Sequence, residues 1–129
     1  MFISPDIAKL LLRLSVGILM LFHGIHKIIH GVGGIKKMLA SSGMPEFLAY
    51  GVYVGEVIVP LFIILGLYAR IASLVLAFNM LVAILLAYGG SLFALGKHGG
   101  LAIELPLFYF ILSLVIFLLG SGRYSVNNK

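Results

Sequence analysis

The stretch Leu10–His30, LLLRLSVGILMLFHGIHKIIH, decides the fold of this chain. It is apolar along most of its length, and it is as long as a helix needs to be to cross a hydrocarbon core of about 30 Å, which takes about 20 residues. It nevertheless carries Arg13 near one end and three histidines with a lysine near the other. An ionisable side chain at membrane depth costs at least about 2.5–3.5 kcal/mol, so it normally faces protein or a water-filled cavity and marks a functional site.

The composition of the chain indicates a membrane protein with a single domain over residues 1–129. Of its residues, 62% are hydrophobic and 10% are charged, whereas soluble globular chains are about 45–50% apolar and about 25% charged. Lysine and arginine exceed the acids by nine to four, but they lie mostly at the ends of apolar runs, where they anchor to lipid headgroups. This placement argues against nucleic-acid binding. The chain has no cysteine, which excludes thiolate chemistry and iron–sulfur ligation by the chain itself.

Apolar runs, glycines and prolines predict an all-α fold, an antiparallel four-helix bundle in the membrane. The predicted spans cover residues 7–29, 47–68, 71–88 and 101–119. Between the first two spans lies a polar, glycine-rich segment, in which the spacing of apolar residues predicts a short amphipathic helix on the membrane surface. Pro60 interrupts the second span and frees the carbonyl of Glu56, four residues earlier. The tail, residues 120–129, is expected to be exposed.

An even number of spans places both termini on one side of the membrane. Because lysines and arginines accumulate on the cytoplasmic side, and the arginines favour the side of the termini, we predict that both termini are cytoplasmic. The first apolar run exceeds the 7–15 residues of a signal-peptide core, so we expect it to be retained as a helix.

The connectivity gathers ionisable residues at the end of the bundle opposite the termini. The end of the first span and the starts of the second and fourth meet there, and the residues they contribute are His23, His26, Lys27, Glu56, His98 and Glu104, with Asn79 near the midplane. At 1.5 Å per residue, Glu56 lies about 13 Å below the start of its span, too deep to reach the headgroups easily. The functional interpretation is a polar pocket in which the acids Glu56 and Glu104 face the imidazoles and the ammonium group.

Two other interpretations of these residues stay open. In the structural one, Lys27 and His30 end the helix at the headgroups, and His23 and Glu56 form a hydrogen bond between helices. In the other, imidazoles at helical spacing and carboxylates bind zinc, iron or copper; the candidate ligands are His23, His26, Glu56 and Glu104. Arg13 belongs to the opposite leaflet, where it either extends to the surface beside Arg70 or binds an anionic headgroup or helix-end carbonyls.

Several short motifs resemble those of the DoxX family of small bacterial and archaeal membrane proteins. They are LLRLSVG (11–17), HGIHK (23–27), Gly55-Glu56, LGLYAR (65–70), Glu104 and GSGRYS (120–125). The resemblance implies a four-helix protein of the plasma (inner) membrane, linked to sulfur or quinone redox metabolism, with Arg13, Glu56, Arg70 and Glu104 as motif residues. Asn127 departs from the family's closing pattern, which usually ends in an acid.

Three functions follow as hypotheses. The first is a membrane redox protein or oxidoreductase subunit that binds a quinone or a similar lipophilic carrier, with His23, Glu56 and Glu104 as acid–base groups. The second is a non-catalytic anchor or scaffold of a redox complex, which would dock through the face that carries Gly51 and Gly55. The third is binding of a metal or small molecule without electron transfer. The partners expected are the lipid bilayer, redox subunits and a second copy of the chain.

Overall fold

The computed structural model describes residues 4–97 and 99–127, and within them the chain is helical and contains no strand. The five helices are α1 (Pro5–His30), α2 (Gly33–Ser41), α3 (Glu46–Leu65), α4 (Ala69–Tyr88) and α5 (Glu104–Leu119). Helices α1, α3 and α4 are long and apolar enough to cross a membrane, and α5 is a shorter apolar helix of 16 residues. The predicted all-α class is confirmed.

Local sequence explains where the helices begin and end. The hydroxyl of Ser4 accepts a hydrogen bond from the Ile7 N–H, and Pro5 occupies the first helical position, where its missing N–H costs nothing. The predicted second span extends to residue 68, whereas α3 ends at Leu65. The reason is that Gly66 adopts a left-handed conformation, with φ of 70°, which glycine tolerates best and which terminates helices.

Helix α3 changes its winding midway. It opens with a 3₁₀ turn at Glu46–Tyr50 and contains a π turn at Val54–Ile58, in which the Val59 N–H donates to the carbonyl five residues earlier. The turn lies just before Pro60, which lacks the N–H that would bond to the Glu56 carbonyl in an α-helix. Such π turns are rare and occur frequently at functional sites.

The main apolar core joins all the long helices. Its buried members are contributed by α1, α3, α4 and α5 and include Val16, Met20, Val59, Ile63, Leu76, Met80, Tyr109 and Ile116. The most extensive helix pair is α4 with α5, followed by α1 with the second half of α3. A smaller cluster of Val32, Leu39 and Ala49 fixes α2 and the start of α3 to the rest of the molecule.

The C-terminal tail folds back over the end of the molecule. The expectation of an exposed tail is wrong for residues 120–122, which are buried. The tail is also held by backbone hydrogen bonds, from Arg123 N to Asp6 Oδ1 (3.1 Å), from Val126 N to Leu65 O (3.0 Å) and from Asn127 N to Gly66 O (3.2 Å). The tail therefore links the start of α1 to the end of α3.

Candidate functional site

An ion pair between α1 and α3 lies at the centre of the candidate site. Lys27 Nζ is 2.5 Å from Glu56 Oε1, and the side chains are 29% and 6% exposed, respectively. A carboxylate this deeply buried needs a counter-charge, since burial of an unpaired charge is very costly. Lys27, near the end of α1, is the residue that supplies it.

Close contact between the two helices brings the pair together. A Cβ atom on Gly24 would lie 2.0 Å from the carbonyl oxygen of Glu56, so only glycine allows α1 to approach α3 this closely. The Tyr53 hydroxyl donates to the Lys27 carbonyl at 3.2 Å and adds a second link between the helices. The HGIHK motif thus supplies both the contact, through Gly24, and the charge, through Lys27.

A cavity of about 160 Å³ opens beside the ion pair. Its lining combines polar and apolar side chains from α1, α3, α4 and α5: Met20, His23, Lys27, Glu56, Met80, Ala83, Leu105, Pro106 and Tyr109. The His23 and Tyr109 rings meet edge to face, with centroids 5.8 Å apart and an angle of 88° between the planes. An ammonium, a carboxylate, an imidazole and a phenol therefore share one partly apolar cavity, a set that can exchange protons with a bound molecule.

Tyr109 is the site residue that sequence reasoning missed. It lies within the apolar helix α5 and is buried. The available signal was the phenolic hydroxyl, which usually finds a polar partner when it is buried. Nothing in the sequence, however, tells which of the other helices that hydroxyl faces.

The structure does not bring Glu104 to this cavity. Glu104 is exposed and lines a separate groove with Leu101, Leu107, Phe108 and Ile111. The cavity instead receives Leu105, Pro106 and Tyr109 from α5. Successive residues of a helix point about 100° apart. Leu105 can therefore line the cavity beside Glu56 while Glu104, one residue earlier, faces the separate groove.

His26 and His30 also lie outside the cavity lining. Both are exposed, and their rings are in contact with centroids 4.3 Å apart and an angle of 40° between the planes. Across residues 4–97 and 99–127, no three histidine, aspartate or glutamate side chains lie close enough together to hold a metal ion. His98 falls outside the described residues.

Asn79 lies on the other side of α3 from the ion pair. Its side chain packs on Gly55, where an added Cβ would come within 2.7 Å of Asn79 Cγ. It lines a second, larger cavity and not the one beside Glu56. Gly55 and Glu56 are adjacent, so consecutive residues of α3 face two different cavities.

Arg13 is fully buried at the opposite end of the molecule, under the C-terminal tail. Its guanidinium donates to the carbonyls of Ile63 and Ile64, each at 3.4 Å, and to the carbonyl of Tyr124. The end of a helix leaves carbonyl oxygens without helical partners, and a buried arginine satisfies them here. Of the alternatives predicted for Arg13, the structure shows the contact with helix-end carbonyls.

The remaining motif residues hold the same end of the molecule. Arg70 is exposed and lies along the backbone of Gly120, where a Cβ would come within 2.8 Å of Nη2. Asn127 accepts a hydrogen bond from the Tyr68 N–H at 3.0 Å. The amide oxygen of Asn127 therefore accepts a backbone hydrogen bond that a carboxylate oxygen could also accept.

Comparisons with known proteins place this chain in a family. It is an all-helical membrane protein with a charged site among its helices, and the family model described as DoxX matches residues 8–89. The chain belongs to the DoxX family. It is 34% identical over 82 residues to a Bacillus subtilis (strain 168) protein named "Putative oxidoreductase CatD", a match that covers 64% of this chain and 60% of that protein. No solved structure matches the chain significantly.

Proposed function

We propose that this protein is a membrane redox protein or oxidoreductase subunit that binds a quinone or a similar lipophilic carrier in the cavity beside Glu56. The observation that carries the proposal is the ion pair of Lys27 and Glu56, which opens with His23 and Tyr109 onto one cavity of about 160 Å³. Buried ionisable groups inside a membrane protein mark functional sites by default. The name of the Bacillus relative points to the same class of activity.

The cavity has the chemistry that such a carrier requires. Met20, Met80, Leu105 and Pro106 offer apolar contact to a ring or tail. In the charged pair, Lys27 can donate to a quinone carbonyl and Glu56 can accept from a quinol hydroxyl. Reduction of a quinone consumes two electrons and two protons. Lys27, Glu56, His23 and Tyr109 supply groups that hold or move protons. The electrons come from a bound cofactor or a partner redox protein, since the chain has no cysteine to supply them.

The structure offers less support for docking through Gly51 and Gly55. Gly51 is exposed, but Gly55 is buried against the side chain of Asn79, so the two glycines do not form one open face. A face used to dock another helix through close backbone contact needs its small residues on the surface. We therefore favour the carrier-binding function over the scaffold.

Binding of a quinone analogue to the purified full-length protein tests the proposal. We expect Glu56→Gln and His23→Ala each to weaken binding by about tenfold or more, because a hydrogen bond to a charged or polar partner in a cavity is worth about 1.5 kcal/mol. Glu104→Gln and His26→Ala are matched controls outside the cavity and should bind as the unchanged protein does. Equal binding in all four variants would contradict the site, and binding by none of the proteins would contradict the function.

For the membrane arrangement, we propose an antiparallel four-helix bundle in the plasma membrane, in which α5 is the fourth span and both termini are cytoplasmic. The support is the apolar character of α5 and its packing on α4. Two reporters are fused after Lys129, one that is active only in the cytoplasm and one that is active only after export. The first should be active and the second inactive. The same reporter pair inserted after Gly43 should give the opposite result. Activity of the exported reporter at the C-terminus would reverse the orientation.

A further inference from the structure

The second cavity lies between α2 and the membrane-spanning helices α3 and α4. It has a volume of about 360 Å³ and is lined almost entirely by apolar groups: Ile35, Leu39, Met44, Leu48, Gly51, Val52, Val54, Gly55, Val75, Phe78, Asn79, Val82 and Leu86. It shares no lining residue with the cavity beside Glu56. The two cavities are therefore separate sites.

The cavity extends along helix α4. Val75 and Leu86 both line it, and their separation along α4 corresponds to about 16 Å at 1.5 Å per residue. This length is about half of a hydrocarbon core of about 30 Å. The cavity is therefore as long as one leaflet is thick.

Its apolar lining makes water a poor occupant. A buried water needs two to four polar partners, and Asn79 is the one residue of the lining with a polar side chain. The space next to Gly51 is open, because a Cβ at this glycine would meet no atom within 4 Å. The space next to Gly55 is filled by the side chain of Asn79. An apolar chain fits this space better than water does.

A cation lies at the edge of the cavity. Lys36 Nζ donates to the Tyr50 hydroxyl at 2.6 Å and lies 4.5 Å from the centre of its ring. Neither Lys36 nor Tyr50 lines the cavity itself, but both elements that their contact joins, α2 and the start of α3, contribute lining residues, among them Ile35 and Gly51. Lysine is positively charged at neutral pH, and the hydrogen bond to Tyr50 raises the pKa of Lys36 above its ordinary value.

We propose that this cavity holds one acyl chain of an anionic phospholipid, with the phosphate bound at Lys36. The surface helix α2 then covers the chain, with Ile35 and Leu39 in contact with its methylene groups. Gly51 leaves the space through which the chain passes. The proposal does not depend on the carrier site, because the two cavities share no residue.

The test measures lipid retained by the full-length protein, purified in detergent and supplied with phosphatidylglycerol or with phosphatidylcholine of the same acyl chains. Native mass spectrometry should show a single phosphatidylglycerol bound per chain, preferred over phosphatidylcholine by about fivefold, as expected for one lysine at a membrane surface. Equal retention of the two lipids, or retention of neither, would overturn the proposal. Recovery of a neutral isoprenoid in their place would also overturn it.

Two pairs of variants locate the lipid. Gly51→Leu fills the cavity and should reduce retention by about tenfold, since it excludes two or three methylene groups from burial. Gly34→Leu adds the same side chain at an exposed glycine with no neighbour within 4 Å, and it should retain lipid normally. Lys36→Gln should abolish the preference for the anionic lipid but keep binding, whereas Lys37→Gln should keep both. Normal retention by Gly51→Leu, or an unchanged preference in Lys36→Gln, would refute the assignment.

Discussion

Lys27→Met should destabilise the protein more than Glu56→Gln does. Removing one partner of a buried ion pair costs about 3–5 kcal/mol when it leaves the other charge buried and unpaired. Glu56 is only 6% exposed, whereas Lys27 is 29% exposed and can extend its ammonium to the surface. We therefore expect a loss of about 3 kcal/mol for Lys27→Met and about 1 kcal/mol for Glu56→Gln.

Thermal or denaturant unfolding in detergent micelles measures this difference. The double variant Lys27→Met/Glu56→Gln should recover most of the stability lost in Lys27→Met, because it leaves no buried charge behind. Lys37→Met is the control, since Lys37 is exposed on α2. If the two single variants lose equal stability and the double variant loses their sum, the ion pair does not act as a coupled unit.

Arg13→Met should lose about 3 kcal/mol of stability. Arg13 is fully buried and donates to three carbonyl oxygens, at Ile63, Ile64 and Tyr124. Methionine fills similar space but removes the charged donor from all three carbonyls, of which Ile63 keeps a hydrogen bond from the Gly66 N–H at 3.2 Å. Each hydrogen bond to a charged group contributes about 1.5–3 kcal/mol, offset in part by the cost of burying the charge. The stability of Arg13→Lys should lie between that of the unchanged protein and that of Arg13→Met. Lysine keeps the positive charge, but its ammonium group lacks the planar set of donors of a guanidinium.

The matched control is Arg123→Met, which removes an exposed arginine from the same end of the molecule. Limited proteolysis adds a second readout, since Arg13 ties the tail to the end of α3. The tail of Arg13→Met should be cleaved faster than that of Arg123→Met. Equal unfolding midpoints and equal cleavage in the two variants would show that Arg13 does not hold the tail.

The sequence was most informative about the positions of the helices, which follow from runs of apolar residues. Apolar runs predicted α1 and α4 to within about two residues, the usual uncertainty of helix ends. The HGIHK motif identified the helix end that carries the candidate site. These features depend on neighbours in the chain, which the sequence shows directly.

Helical phase explains why the candidate residues separate. The buried stripe of α1 passes through Arg13, Val16, Gly17, Met20 and Gly24. At about 100° per residue, Lys27 and His23 lie at one edge of this stripe, while His26 lies further round the helix and away from α3. From the sequence alone, His23, His26 and Lys27 lie in one broad sector of α1. The boundary between the buried and the exposed surface of α1 runs through this sector, and its position depends on how α3 and α5 pack.

Features that depend on distant segments were beyond sequence reasoning. The tail of the chain consists of small and polar residues, which are typical of exposed segments, yet its backbone is bound by Asp6 and by the end of α3. Tyr109 reaches the cavity through the packing of α5 on α4 and α1. No local pattern identifies either partner.

The π turn in α3 adds one residue to a helical turn. This extra residue changes the direction in which the side chains after the turn point relative to those before it. Relative to an uninterrupted α-helix, the residues before the turn are rotated by about 100° with respect to those after it. One helix therefore presents Gly51 to the space beneath α2, and Val59 and Ile63 to the main core. Deleting one residue within Val54–Ile58 would restore regular winding and turn one of these faces away from its partners. The length of the segment between Gly51 and Pro60 thus matters independently of which side chains it carries.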